Sequence, residues 1–366
     1  MSKIQLKNLT YGFDIQGRML FDHANITIQT TWKLGLIGRN GRGKTTLLRL
    51  IQGELPYEGK IEHQTEFLYF PQDITDATNM TYQVLEGFEE IEFWKLEREL
   101  QLLEVNPDVL WLPYEQLSGG EQTKVLLAVL FAQESGFPLI DEPTNHLDHA
   151  ARQIVANYLK SKKQGFILVS HDRQLVDNVV DHILSIERSQ LVLHQGNFSQ
   201  YEQEKKRRDD FEMANNIKIK KEISRLNQTA LEKAQWSGAR EKEKSGNPKK
   251  KGSGAVFDKG FIGAKAAATM KRSKAIEHRM EAQISQKETL LKNLEKVDTL
   301  AIHARPTHRK QIVKVENFQL CYGEKTLFQP ISFELNVGDC LALIGKNGSG
   351  KTSFLRFLMG EFTGEV

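Results

Sequence analysis

The chain is 366 residues long and carries 50 Lys and Arg against 47 Asp and Glu, a net of +3; that length exceeds one ordinary domain and calls for at least two folded units. Its two cysteines, Cys321 and Cys340, stand in no metal-ligand spacing, which argues against a disulfide framework and against zinc or iron–sulfur sites and fits a reducing cytoplasm. The opening MSKIQLKNLTYGF holds no apolar core of signal-peptide length, and no stretch approaches the roughly 18 apolar residues of a membrane span, so a soluble, cytoplasmic protein is expected.

The first chemistry-bearing segment is LGLIGRNGRGKTT, residues 34–46. An apolar strand runs into G-x-x-x-x-G-K-T and then into an amphipathic helix, LLRLIQ, which is the setting of a phosphate-binding loop in an α/β fold. Gly38, Gly41 and Gly43 allow backbone N–H groups to curl around an anion at a helix N-terminus, with Asn40 inside the loop and Thr46 just after it. Lys44 is placed to reach the β- and γ-phosphates of a nucleotide and Thr45 to hold magnesium. Arg42 stands at a loop position where a small residue would serve. Because backbone makes the cradle, the site tolerates it, and the side chain either adds charge near the phosphates or points to solvent.

Further along come YFPQD with Gln72, LSGGE at 117–121, the apolar run VLLAVLFA at 125–132, PLIDEPTNHLD at 138–148 and SHDR at 170–173. VLLAVLFA reads as a buried helix. Ser118, Gly119 and Gly120 open that helix and are expected to present free N–H groups to an anion. Asp141 follows a short apolar strand, so its carboxylate can hold magnesium opposite Thr45, with Glu142 beside it to orient or deprotonate a water. In this order and spacing the set resembles the signature, Walker B, Q-loop and histidine-switch motifs of the ATP-binding-cassette family. The resemblance implies an ATPase that uses ATP and Mg2+, with Glu142, His171 and Gln72 catalytic and Thr45, Gln72, Asp141 and Thr352 around the metal. It also implies that Tyr11 stacks on adenine, and that the signature of one cassette meets the γ-phosphate held by another.

Residues 201–300 carry 24 basic and 15 acidic side chains, a local net of +9 against −6 for the remainder. Ile219, Ile223, Leu226 and Ala230 line one helical face, and Ile276, Met280, Ile284, Leu291 and Leu294 line another. Between them SGNPKKKGSGAVFDKGFIGAKAAA is broken by Gly and Pro. The expectation is an antiparallel helical hairpin whose arms, about 35 residues each, reach on the order of 50 Å. Composition alone leaves a solvated spacer open. The tip, residues 240–274, has 11 basic and 3 acidic side chains with Trp236, Phe257 and Phe261 nearby, a mixture suited to phosphates and unpaired bases.

At the end, LFQPISFELNVGDCLALIGKNGSGKTSFLRFLMGEFTGEV repeats the first loop and its surroundings. Gly345, Asn347, Gly348, Gly350, Lys351, Thr352 and Ser353 take the places of their first-copy counterparts, and Tyr322 that of Tyr11. The expected organisation is a first nucleotide-binding domain at 1–200, the basic hairpin at 201–305, and the N-terminal part of a second, incomplete cassette at 306–366, so that these residues alone would bind ATP but hydrolyse it poorly.

Two cassettes, no span and a basic hairpin between them resemble the ABC-F family of ribosome-binding ATPases. Only 45 residues separate Gln72 from Ser118, little room for the extra arm of housekeeping translation factors, and KKKGSGAVFDKGFIGAKAAATMKRSK is similar to the linker of Lsa-type antibiotic-resistance members. That resemblance implies binding in the tRNA exit site of the 70S ribosome, with the hairpin at 23S rRNA and P-site tRNA, displacing lincosamides, pleuromutilins and streptogramin A compounds. A housekeeping factor and an inactive truncated copy stay open.

Overall fold

The computed structural model describes residues 2–13, 18–88, 92–133, 135–187, 189–243, 311–323 and 325–364, with short stretches between 271 and 287. These fall into two compact units, Met1–Tyr201 with His303–Val366, and Glu202–Ile302.

In the first unit a six-stranded sheet runs in the order β5 (Phe67–Phe70), β6 (Phe137–Asp141), β7 (Phe166–Val169), β3 (Lys33–Ile37), β8 (His182–Glu187), β9 (Gln190–Gln195). All neighbours are parallel except β8 and β9. Alternation along each strand sorts side chains to two cores. Leu68, Phe70, Ile140, Phe166 and Leu168 face helices α3 (Phe93–Leu102), α4 (Gly119–Ala132), α5 (His149–Ser161) and α6 (Arg173–Val179). Phe67, Tyr69, Phe137, Leu139, Ile167 and Val169 face α1 (Lys44–Gln52) and an antiparallel sheet ordered β2 (Arg18–Gln29), β1 (Lys3–Phe13), β4 (Glu58–Glu62). The run VLLAVLFA is buried all along α4, as its all-apolar pattern requires. At Gly35 in β3 a Cβ would stand 3.0 Å from Ile183 Cδ1 and 3.1 Å from Val176 Cγ1, so close packing dictates the glycine.

Buried Glu99 of α3 ties the helices together: Tyr158 Oη donates to it at 2.7 Å and the Lys162 ammonium pairs with it. Thus α3 is latched to α5 by a satisfied polar knot inside an apolar layer.

The second copy contributes β10 (Gln311–Phe318) paired antiparallel with β13 (Ile331–Asn336), the short pair β11 (Cys321–Tyr322) and β12 (Lys325–Thr326), and α8 (Lys351–Met359). Phe354 on α8 packs edge-on against Phe318 and Phe333, each 5.9 Å away between ring centres. The repeat predicts a strand at Cys340–Ile344, the counterpart of β3, yet the structure has none there, and Ile344 is 91% exposed. A central parallel strand takes hydrogen bonds and burial from a neighbour on each side, and among the described residues none pairs with this stretch.

Helix α7 (Phe198–Glu243) is 46 residues long, and from Glu202 on it belongs to the second unit. Ile219, Ile223 and Leu226 form a half-buried stripe along it, and Lys287 pairs with Glu222. Ile276, Met280, Ile284, Leu291 and Leu294, with Phe257 and Phe261 of the tip, lie outside the described residues. No helix among the described residues is long and apolar enough to cross a membrane.

Candidate functional site

Because β6, β7 and β3 are adjacent and parallel, the loops leaving their C-terminal ends meet at one edge of the sheet, where α/β folds place ligands. Gly41 (φ 73°) and Gly43 (φ 90°) adopt left-handed backbone. A Cβ on Gly43 would also press on Leu20 Cδ1 at 3.2 Å, so this turn into α1 demands glycine twice over. Lys44 Nζ donates to the loop's own Gly38 carbonyl at 3.0 Å. Burial lowers its ammonium pKa, partly offset by the nearby carboxylates of Glu142 and Asp141.

Thr45 Oγ1 donates to Asp141 Oδ2 at 2.6 Å. The same oxygen accepts a 3.2 Å hydrogen bond from Tyr69 Oη. Burial, then Asp141, pushes the Tyr69 hydroxyl above its ordinary pKa and keeps it a donor. Tyr69 was not among the residues expected from sequence. Its visible signal is its place two residues ahead of the Pro71–Gln72 pair at the end of β5.

Glu142 sits at φ 52°, a left-handed conformation costly for a non-glycine residue. It is held there by its N–H donating to the Val169 carbonyl at 2.8 Å. The His171 N–H donates to Glu142 Oε2 at 3.2 Å, and His171 Nε2 lies 3.4 Å from Oε1 without aligned hydrogen-bond geometry. Burial raises the Glu142 carboxyl pKa, against the pull of His171. Glu142 Oε1 and Gln72 Oε1 are buried side-chain oxygens without a hydrogen-bonded partner. Buried oxygens normally find one, so both can accept a further partner. Thr45, Asp141 and Gln72 offer only oxygen donors, which fits Mg2+ completed by phosphate oxygens and water. Asn40 is exposed within the loop, and Thr46 lies in the first turn of α1. Tyr11 is half-buried on β1, in register with Phe21, whose ring neighbours Gly43.

The signature corrects one expectation. Ser118 caps α4, but its N–H is not free: it donates to Glu121 Oε2 at 2.9 Å, while Ser118 Oγ accepts from the Glu121 N–H at 3.3 Å. S-G-G-E is itself a capping box, readable from the sequence. Gly119 and Gly120 keep the unsatisfied N–H groups of a first helical turn.

The second loop copies the first. Gly348 and Gly350 have φ 76° and 85°, and Lys351 Nζ donates to the Gly345 carbonyl at 2.8 Å. Thr352 and Ser353 begin α8. Tyr322 lies on β11, its side chain outside the described residues. Asn347 binds the first copy: its N–H donates to Asp148 Oδ2 at 3.3 Å and its side-chain amide to the His146 carbonyl at 2.9 Å. A Cβ on Gly119 would meet His146 Cβ at 3.3 Å. Signature and second loop therefore both abut residues 146–148.

The sequence profile of the ABC transporter family matches residues 21–145 and again 328–366. The chain is 30% identical over 363 residues to "Ribosome protection protein VmlR" of Bacillus subtilis, covering 99% of this chain and 62% of that protein. It is 30% identical over 346 residues to "Erythromycin resistance ATP-binding protein MsrA" of Staphylococcus epidermidis, covering 91% and 65%. "Energy-dependent translational throttle protein EttA" of Haemophilus influenzae is 27% identical over 374 residues, covering 90% and 61%. The chain thus spans about three fifths of the length of these relatives.

Proposed function

We propose, from the match of residues 21–145 and 328–366 to the ABC transporter family profile and from relatives that include an ABC transporter F family member, that the chain binds ATP with Mg2+ and hydrolyses it, and that it works on the ribosome. The observation that carries the ATPase reading is the single sheet edge that brings Lys44, the Thr45–Asp141 pair and the Glu142–His171 pair to the ends of neighbouring parallel strands.

The loop amides cradle the phosphates while Lys44 exchanges the Gly38 carbonyl for them. Thr45, Asp141 and Gln72 would hold magnesium, whose positive charge would offset the negative charge of the phosphate oxygens. The buried Glu142 carboxylate, more basic than an exposed one, takes the proton of the attacking water. His171 keeps that carboxylate aimed. Gly119 and Gly120 offer their N–H groups to the terminal phosphate at the Lys351 loop, so that site is shared between two copies.

The relatives' printed names support a ribosomal target. The reading is protection of the 70S ribosome, through the tRNA exit site, 23S rRNA and P-site tRNA, against lincosamides, pleuromutilins and streptogramin A compounds, by a protein of the cytoplasm. ATP closes the cassettes and favours the bound state; hydrolysis releases it.

In the full-length protein, Glu142→Gln should slow hydrolysis on the order of 100-fold or more and leave it co-sedimenting with 70S ribosomes in ATP. Expression in a lincomycin-susceptible host then separates protection, which raises the tolerated dose, from a housekeeping role, which does not. Folded protein without magnesium-dependent ATP affinity overturns the whole reading.

A further inference from the structure

We propose that Tyr69 is the positioning residue for the metal-holding carboxylate of Asp141. The inference rests on the reading of Asp141 as a magnesium ligand and adds a residue to it.

Strands β5 and β6 pair in parallel with Tyr69 opposite Leu139. Alternation puts Asp141, two residues beyond Leu139, on the same face of the sheet as Tyr69. The tyrosine ring packs against the core beside α1, and its hydroxyl ends 3.2 Å from Asp141 Oδ2. The other donor to that oxygen is Thr45, at 2.6 Å. Thr45 is itself assigned to the metal: its hydroxyl can give a lone pair to magnesium while donating its proton to Asp141, so its position is tied to that of the metal. Tyr69 has no such second duty. A rigid ring with few rotatable bonds, anchored in the core, holds the carboxylate in one rotamer whether or not the metal is bound, as hydrogen-bonded partners outside a metal's ligand set do.

The same strand end leads into Gln72, whose buried Oε1 is orphaned. One four-residue stretch, 69–72, therefore carries both a proposed ligand and the support of another.

Tyr69→Phe removes the hydroxyl and keeps the ring. ATP affinity is measured by equilibrium titration in EDTA and again in excess Mg2+, for the unaltered chain, Tyr69→Phe, Asp141→Asn and the double variant. In EDTA, Tyr69→Phe should match the unaltered chain within about twofold. In Mg2+ it should lose about tenfold of the tightening the metal confers, the lower end of what such partners contribute. In the Asp141→Asn background it should change nothing further, because it acts only through that carboxylate.

Full magnesium tightening in Tyr69→Phe overturns the proposal, as does an equal loss in EDTA and Mg2+ with a lowered Tm, which marks a purely structural ring. An unaltered chain that gains nothing from Mg2+ defeats the ATP-site reading itself and is told apart by that control.

Discussion

Two copies of one loop stand in opposite surroundings. The Lys44 and Lys351 loops agree within a few degrees at their left-handed glycines, 73° and 90° against 76° and 85°. Both lysines return to a loop carbonyl, at 3.0 and 2.8 Å. Both helices end on a left-handed glycine, Gly53 and Gly360. The strands leading into them differ completely. Leu34 and Leu36 of β3 are wholly buried between β7 and β8, whereas Leu341 and Leu343 are 53% and 38% exposed with no paired strand described. Loop geometry is thus written in the local G-x-x-x-x-G-K-T code, while a central strand exists only where neighbours complete it.

The partners differ as well. Thr45 bonds the Asp141 carboxylate, but Thr352 has no bonded carboxylate among the described residues. Instead the Lys351 loop has Asn347 on His146 and Asp148. Each loop shows half of a complete site, one the metal-side carboxylates and the other the contact across copies.

The widest separation is expected in stability. Leu36→Ala should cost about 2–5 kcal/mol, since it opens a cavity in a packed layer, whereas Leu343→Ala should stay within about 0.5 kcal/mol. Gly35→Ala, forcing a methyl onto Ile183 and Val176, should cost about 1–3 kcal/mol. At the matching second-copy position alanine already stands, as Ala342. Thermal or urea unfolding of these variants checks the pairing, and equal losses at Leu36 and Leu343 break the comparison.

Next comes nucleotide affinity. Lys44→Met and Lys351→Met should each remove the binding at their own loop by on the order of 100-fold, the value of a charge-assisted contact to phosphate. What survives should differ: binding left in Lys351→Met tightens with Mg2+ and binding left in Lys44→Met does not. Equilibrium titration of both variants with and without Mg2+ measures this. Magnesium dependence at both loops would mean that the Asp141 side adds nothing the loop lacks.

Local signals made most of the site legible in sequence. The glycine turns, the strand ending at Asp141 and the helix opening at Ser118 each follow from residues close in the chain. Tyr69 was not legible, because its role needs β5 laid beside β6, and 71 residues intervene between Tyr69 and Asp141. Nor was the Asn347 contact with His146 and Asp148, which depends on how two copies meet. The occupied N–H of Ser118 was readable as a capping box and was masked by the expectation of an anion site.

The smallest expected effect concerns the charge that Glu142 carries at the first loop's edge. Burial raises the Glu142 carboxyl above its ordinary value of 4.5, so the native state disfavours its charged form. Below the ordinary value both native and unfolded chains carry the proton and Glu142 costs nothing. As pH rises through the raised native value the unfolded chain is already ionised, and the buried carboxylate becomes a liability. Glu142→Gln keeps the shape and the φ of 52° but cannot ionise. It should therefore raise the nucleotide-free Tm by a few degrees at pH 7, with the gain shrinking on acidification and gone below the ordinary carboxylate range. A constant gain across pH would assign the benefit to the amide's new hydrogen bonds rather than to the lost charge. A gain at pH 7 that Mg2+ and ATP then reverse would show that the same half-buried charge which lowers stability without nucleotide is what nucleotide binding uses.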